Sequence, residues 1–243
     1  LAKKVLLGSM VTMDSPEVVE ILTEIGFDWL FIDAEHSPFS GPSIQNLIRA
    51  AGTTPSLVRT ASQDPSEIKN ALDAGAAGII VPQVNSKIEA EQIVSSAKYP
   101  PMGTRGVGIS RAHGYGQRFQ EYVDRANDET IVVIQVEHID AVSQIEELAS
   151  VKGVDAIFIG PYDLSASMNK MGQVDDPEVK KAISKVREIC QQVGMPLGYF
   201  GVSATGIQTY IDQGFSLIVA GVDTLHLAKS AKAFLAELRN EDQ

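Results

Sequence analysis

Apolar runs rich in Ile, Val, Leu and Phe recur along the chain, and the stretches between them carry apolar residues at helical spacing. The runs are Val5–Met10, Trp29–Asp33, Ser56–Arg59, Gly78–Val84, Ile131–Glu137, Ala156–Gly160, Pro196–Phe200 and Ser216–Gly221. Most are continuous rather than alternating, the pattern of strands covered on both faces. Helix signals fall between them. Asp14-Ser15-Pro16-Glu17 puts a capping residue before a first-turn proline, and Gly26 closes that helix. Asp64-Pro65-Ser66-Glu67 repeats the device and ends near Gly75, and Asp176-Pro177-Glu178 opens a helix running to Val193. Ser86–Ala97, Ile139–Ser150, Thr205–Gln213 and Asp223–Asn240 complete the predicted helices.

Eight strand–helix alternations without a break in composition predict a single (β/α)₈ TIM barrel spanning residues 1–243. A doubly wound open sheet is the competing α/β architecture. No G-x-G-x-x-G follows the first strand, where Gly8-Ser9-Met10 stands instead. One interval, "YPPMGTRGVGISRAHGYG" (Tyr99–Gly116), is too long for a plain connection and is a candidate binding loop.

In a barrel the strand C-termini share one face. Collecting the residues there gives Asp33, Glu35 and His36 after the second run, Arg59 after the third and Gln83 after the fourth. The fifth contributes Gln135 and Glu137, and the sixth leads through Gly160 and Pro161 to Asp163. Glu137 and Asp163 lie on adjacent strands and suit a hard divalent cation; with no Cys or His cluster, Mg²⁺ or Mn²⁺ fits better than Zn²⁺. Read alone, each could instead cap a helix, and that alternative is stronger for Asp163 than for Glu137. Arg59 must pair with a rim acid or with a substrate carboxylate, since an unpaired guanidinium is costly to bury. His36 is either a general base or a loop histidine held by Glu35 or Asp33.

Composition narrows the partners. The net charge of −11 disfavours nucleic acid and anionic membrane surfaces, and no apolar stretch approaches the length of a membrane span. Cys190 is the only cysteine, which fits a reducing, cytoplasmic setting, and its helical surroundings suggest a packed thiol.

Taken in order, "GFDWLFIDAEHSP", "VRTASQDPSEIKNALDAGAAGIIVPQV", "YPPMGTRGVG", "VVIQVEHIDAV", "GVDAIFIGPYDLSASM" and "VAGVDTLHLAKSA" resemble the HpcH/HpaI aldolase family over nearly the whole chain. The resemblance implies a metal-dependent lyase that reversibly cleaves a 4-hydroxy-2-oxo acid to pyruvate and an aldehyde. It implies a divalent cation (Mg²⁺, Mn²⁺ or Co²⁺) on Glu137 and Asp163, with Arg59, Gln135 and the Gly160-Pro161-Tyr162-Asp163 turn around the oxo acid. His36 would be the acid/base, paired with Asp73 from a neighbouring subunit of a homo-oligomer, a hexamer in the family. Geometry within the chain agrees with the last point. Eight residues of helix beyond Pro65 carry Asp73 roughly 12 Å away from the catalytic face. Three positions depart from the family pattern: Tyr162, where relatives carry a small residue, His138 after the metal glutamate, and "GSMVTM" in the first strand. Competing readings are a Schiff-base aldolase, a citrate-lyase-like or malyl-CoA-lyase-like enzyme acting on an acyl-CoA, and a non-catalytic barrel. The first needs a lysine inside a strand, and the second needs a basic nucleotide site beyond Arg105, Arg111 and Arg118.

Overall fold

The computed structural model describes residues 4–239. Eight parallel strands close into a barrel in sequence order: β1 (Leu6–Val11), β2 (Trp29–Asp33), β3 (Ser56–Arg59), β4 (Gly78–Val81), β5 (Ile131–Val136), β6 (Ala156–Ile159), β7 (Leu197–Gly201) and β8 (Leu217–Val222). Around them run α1 (Pro16–Ile25), α2 (Gly41–Ala50), α3 (Pro65–Asp73), α4 (Lys87–Ala97), α5 (Phe119–Glu129), α6 (Ile139–Ser143), α7 (Ile145–Ala149), α8 (Pro161–Ser167), α9 (Pro177–Val193), α10 (Ala204–Asp212) and α11 (Asp223–Arg239).

The continuous apolar strands are buried on both faces, as their pattern predicts. One set of side chains, including Trp29, Phe31, Leu57, Ile80, Val133 and Phe158, fills the barrel. The alternating set, including Leu30, Ile32, Ile79, Ile134 and Ile157, packs under the helices. The interior accommodates an indole because Gly8 faces it; a Cβ at Gly8 would lie 2.5 Å from Trp29 Cε2. Capping follows the sequence signals. Ser15, Asp64, Ser86 and Asp176 each accept a backbone N–H in the first turn of the helix they precede.

The structure corrects several expected boundaries. The fourth strand ends at Val81, short of Val84, because Pro82 has no N–H for the ladder. The helix expected over Ile139–Ser150 is broken in two at Gln144; Ser143 Oγ donates to the Ile139 carbonyl at 3.0 Å, a bond that competes with the helix's own. α2 and α5 were not among the helices expected from the pattern; the short helix raised at Asp163 is α8, which starts earlier, at Pro161, so Asp163 lies in its first turn rather than capping it. Asn240, expected to end the last helix, lies outside the described residues. Among the described residues no helix is long and apolar enough to cross a membrane.

Candidate active site

β2 and β3 are paired so that Asp33 lies beside Arg59 at the C-terminal rim. Arg59 Nε donates to Asp33 Oδ1 at 2.9 Å and Nη2 to Oδ2 at 2.8 Å, while Nη1 stands 3.0 Å from Glu35 Oε2. The guanidinium also lies over the Phe31 ring, 5.2 Å from its centroid. Burial alone would lower the Arg59 pKa, but its bond to Asp33 and the charges of Asp33, Glu35 and Glu137 raise it, so it is fixed as a cation. Asp33 has a second task. Its Oδ1 accepts the backbone N–H groups of Glu35 and His36 at 3.1 and 3.3 Å, and so shapes the turn that carries both. His36 extends from that turn to the cavity edge, its Nε2 3.7 Å from Glu35 Oε2.

The second group is built by β5 and β6. Glu137 is 4% exposed; its Oε1 accepts the Gln83 backbone N–H at 2.6 Å, and its Oε2 accepts from the Gln135 amide. Gln83 therefore serves through its backbone, held in the left-handed region at φ 56°, rather than through its amide. Gly160 makes the close approach of β6 possible, since a Cβ there would lie 2.6 Å from Glu137 Oε2 and 2.9 Å from Gln135 Nε2. The chain then turns into α8, with Pro161 in the position where a missing N–H costs nothing. Tyr162 and Asp163 follow in the first turn, on the cavity wall. Burial pushes the Glu137 carboxyl up to about 7; the Gln83 N–H and Arg59 oppose this, and the negative charges of Glu35 and Asp163 add to it. Burial also raises Glu35, against the pull of Arg59 and His36. His138 has no part here: it caps α6 by accepting the Asp140 N–H, and its side chain is 43% exposed.

These groups open onto one cavity of about 560 Å³. Asp33, His36, Arg59, Gln135 and the Gly160–Asp163 turn line it on one side, and Met10, Phe200 and Val222 on the other. A smaller cavity of about 180 Å³ lies between α2 and α3, has mainly apolar walls such as Phe39, Ile44 and Val58, and contains none of the rim groups.

Asp73 is not at this cavity. It ends α3, and its Oδ1 takes a bond from Arg105 Nη2 at 2.7 Å. Arg105 is buried against Tyr99 and Tyr122, 4.6 and 5.8 Å from their ring centroids. The Tyr99–Gly116 segment is therefore not a binding loop at this chain's own mouth. It follows α4, which ends at the N-terminal side of the barrel, and Arg111 Nη1 donates to the Ala74 carbonyl there at 2.9 Å. Arg105 and Arg111 are thus engaged at the end away from this chain's own cavity. The Schiff-base reading fails. Among the described residues the buried lysine is Lys98, whose ammonium donates to the carbonyls of Asn127 and Thr130 at 2.7 and 2.6 Å, below the strands. Cys190 is buried and its thiol is pushed up to about 12 by burial, so it packs rather than reacts.

The residues fit a divalent cation. Among the described residues no three His, Cys, Asp or Glu side chains come together as a complete protein cage. Asp163 does, however, line a cavity with room for substrate and water oxygens, and Glu137 lies directly against two of that cavity's lining residues, Gln135 and Gly160, which suits an ion of the Mg²⁺ type. The buried Gln135 Oε1 beside Glu137 has no partner.

A closed parallel barrel whose C-terminal rim carries acid, amide, histidine and guanidinium around one cavity defines an enzyme of the TIM-barrel class. The HpcH/HpaI aldolase/citrate lyase family model matches residues 7–230, and the chain belongs to that family. It is 39% identical to a hydroxypyruvate/pyruvate aldolase of Sagittula stellata over 95% of this chain and 92% of the relative. It is 37% identical to a 4-hydroxy-2-oxo-heptane-1,7-dioate aldolase of Klebsiella pneumoniae over 95% of this chain and 88% of that one. The crystal structure of a family member from Burkholderia cenocepacia superposes with a TM-score of 0.94 at 31% identity, covering 97% of this chain and 95% of the other. The chain is a carbon–carbon lyase acting on 2-oxo acids.

Proposed function

We propose that this cavity reversibly cleaves a 4-hydroxy-2-oxo acid into pyruvate and an aldehyde, with Mg²⁺, Mn²⁺ or Co²⁺ held by Glu137 and Asp163. The observation that carries the reading is Asp163 on the same cavity wall as Arg59, with the buried Glu137 carboxylate directly behind the lining residues Gln135 and Gly160. A divalent cation bound there supplies Lewis acidity to the oxo acid. His36 takes the proton from the 4-hydroxyl. As that oxygen becomes the aldehyde carbonyl, the C3–C4 bond breaks and its electron pair moves toward the oxo group. Two of the five N–H donors of Arg59 bond Asp33 and its Nη1 stands beside Glu35, which leaves donors for the negative charge that develops. Gln135 and the Gly160-Pro161-Tyr162 turn bound the oxo acid on the floor and side, and a proton delivered to C3 completes pyruvate.

We further read Asp73 as the orienting partner of His36 in a second copy of the chain. Two features support self-association. Asp73 and His36 line different cavities of one barrel. Along α11, Leu225, Leu227, Phe234, Leu235 and Leu238 are all exposed, and Asp223 is its only buried residue. A hexamer is the expected assembly, and the lone, inert cysteine suits a reducing cytoplasm.

The deciding experiment is pyruvate release from a panel of 4-hydroxy-2-oxo acids with and without chelator. Chelation is expected to abolish release and Mn²⁺, Co²⁺ or Mg²⁺ to restore it. Full activity in excess chelator, or borohydride trapping of pyruvate on a lysine, would overturn the reading.

A further inference from the structure

Two buried arginines of this chain hold aspartates, and the bonds differ. Arg59 takes both oxygens of Asp33. Arg105 takes one oxygen of Asp73: its Nη2 donates to Oδ1 at 2.7 Å, and among the described residues Oδ2 meets no hydrogen-bond donor. The Asp73 side chain is 24% exposed and lines a surface cavity of about 440 Å³ with Asn70, Ser110, Arg111 and Tyr115. Ile109 and Tyr115, on the wall of the same cavity, are both exposed. The Asp73 carboxylate is therefore fixed from inside the chain on one oxygen and presented outward on the other.

Arg105 is itself held rigidly. Its guanidinium lies against the Tyr99 and Tyr122 rings, and Nη1 donates to the Tyr122 hydroxyl at 3.2 Å. Its backbone N–H donates to the Lys98 carbonyl at 2.9 Å, and Gly103 lets the segment lie on the end of α4, since a Cβ there would stand 2.4 Å from the Ser95 and Lys98 carbonyl oxygens. Burying this group is costly, because Nε has no acceptor and a single carboxylate oxygen is the anion it bonds. An apolar side chain would tie the segment to α3 without that cost. What the arginine adds is a direction for the Asp73 carboxylate. We propose that Arg105 is a positioning residue for the reaction in a second copy of the chain: it holds Asp73 with Oδ2 turned to the second copy's His36, and so acts on a barrel other than its own. The proposal rests on the reading of Asp73 as the orienting partner of His36. A carboxylate of fixed direction sets which ring nitrogen of His36 holds the proton and leaves the other free to take one.

The test measures pyruvate release by the Mn²⁺-loaded enzyme from the 4-hydroxy-2-oxo acid of the panel that the wild-type chain cleaves fastest. Arg105→Met is expected to lower kcat about ten-fold and to leave KM within about two-fold. Its Mn²⁺ affinity by calorimetry should match the wild type, because each barrel keeps its own rim. Arg105→Lys should regain part of kcat, since an ammonium can still bond Oδ1. In an Asp73→Asn background Arg105→Met should cost less than about two-fold more, because it acts through Asp73. Co-expression gives the direction. Arg105→Met with His36→Ala chains should exceed the mean of the two variants several-fold, because some barrels then join an intact His36 to an intact Asp73–Arg105 pair from the other chain. Arg105→Met with Asp73→Asn chains should show no gain, because every donated pair is then defective. The opposite pair of results would mean that Arg105 serves its own barrel, and overturns the proposal; so does wild-type kcat in Arg105→Met. Should Arg105→Met not fold, Arg105→Lys carries the same tests, and wild-type kcat in it overturns the proposal. Asp73→Asn chains that stay fully active, or that His36→Ala chains do not rescue, sink the shared-site reading and this one with it. Rescue of Asp73→Asn without rescue of the Arg105 variant sinks the assignment of Arg105 alone.

Discussion

The mouth of the barrel holds two acidic groups that differ in one respect. Asp33 and Glu35 share a guanidinium, Arg59, which is buried with them. Glu137 and Asp163 have no cation of comparable closeness, and Glu137 rests instead on a backbone N–H and an amide. Burial acts on both groups, and they differ in what opposes it. In the first, Arg59 pulls against the rise that burial gives Glu35, while Asp33, bonded by the guanidinium on both oxygens, sets the shape of the turn bearing His36. In the second, burial raises the Glu137 carboxyl to about 7, the Gln83 N–H opposes it, and the charges of Glu35 and Asp163 add to it. A carboxylate pair that folding leaves uncompensated is a place where a ligand's charge has large leverage.

The largest expected effect comes from making the first group resemble the second. Arg59→Ala leaves Asp33 and Glu35 buried without their cation and should cost roughly 3–5 kcal/mol of stability, alongside loss of turnover. Arg59→Lys should recover only part of each, because a point charge cannot reproduce the two-pronged bond to Asp33. Denaturant unfolding and pyruvate release measure the two separately. Stability lost with kcat intact would show that Arg59 serves the fold alone.

The reverse change sharpens the comparison. Between pH 4.5 and about 7 the folded chain holds a proton on Glu137 that the unfolded chain has released. That contribution is complete below pH 4.5 and is lost as the pH rises toward 7. Glu137→Gln removes this dependence, and the amide can be accommodated because Gln135 can turn its unpartnered Oε1 toward it. In chelator at pH 8 the variant should be more stable than the wild-type chain by on the order of 3 kcal/mol, converging with it near pH 4. Metal binding, followed by calorimetry with Mn²⁺, should be lost in this variant and in Asp163→Asn. Parallel stability–pH curves for variant and wild type would contradict the uncompensated state of Glu137.

The smallest effect belongs to Asp73, whose charge is already matched by Arg105. Asp73→Asn keeps an acceptor for that guanidinium, so the fold and metal affinity should hold. Turnover should fall by a fraction of the roughly 100- to 10,000-fold that a general base supplies. Co-expression with His36→Ala chains should return some activity, because mixed assemblies contain sites with both wild-type partners. A fully active monomer would refute the shared site.

The barrel was legible because most strands are continuous apolar runs and three helices, α1, α3 and α9, begin with a capping residue directly before a proline. What escaped has physical reasons. α5 has Phe119, Tyr122, Val123 and Ala126 at helical spacing but no capping side chain at its start, where Arg118 stands, so it lacked the start signal that marked the others. α2 did carry a signal, Ser40 before Gly41-Pro42 with Ile44, Leu47 and Ile48 on one face, and it was there to be read. At the rim, residue types pointed to the right strand ends, but pairings were not deducible. Nothing in the spacing of Asp33 and Arg59 says that a bidentate bond joins them. Nor does the sequence tell that Gln83 acts through its N–H. Arg105 belonged to a loop that looked like a binding element, and only the position of α4's end places it on the far side of the barrel, against Asp73.

The seam where β8 meets β1 ties the first strand's exit to the last strand's. Asp223 accepts the backbone N–H groups of Thr12 and Met13 and the Thr12 hydroxyl, at 2.7, 2.9 and 2.6 Å. During synthesis on the ribosome, therefore, a chain that has not yet reached Leu217 has two open sheet edges, β1 and β7, facing solvent with unpaired backbone groups. Closure has to wait for β8 and for Asp223 at the start of α11 behind it, so the interval before both are made is when these edges stand open to pairing with neighbouring chains.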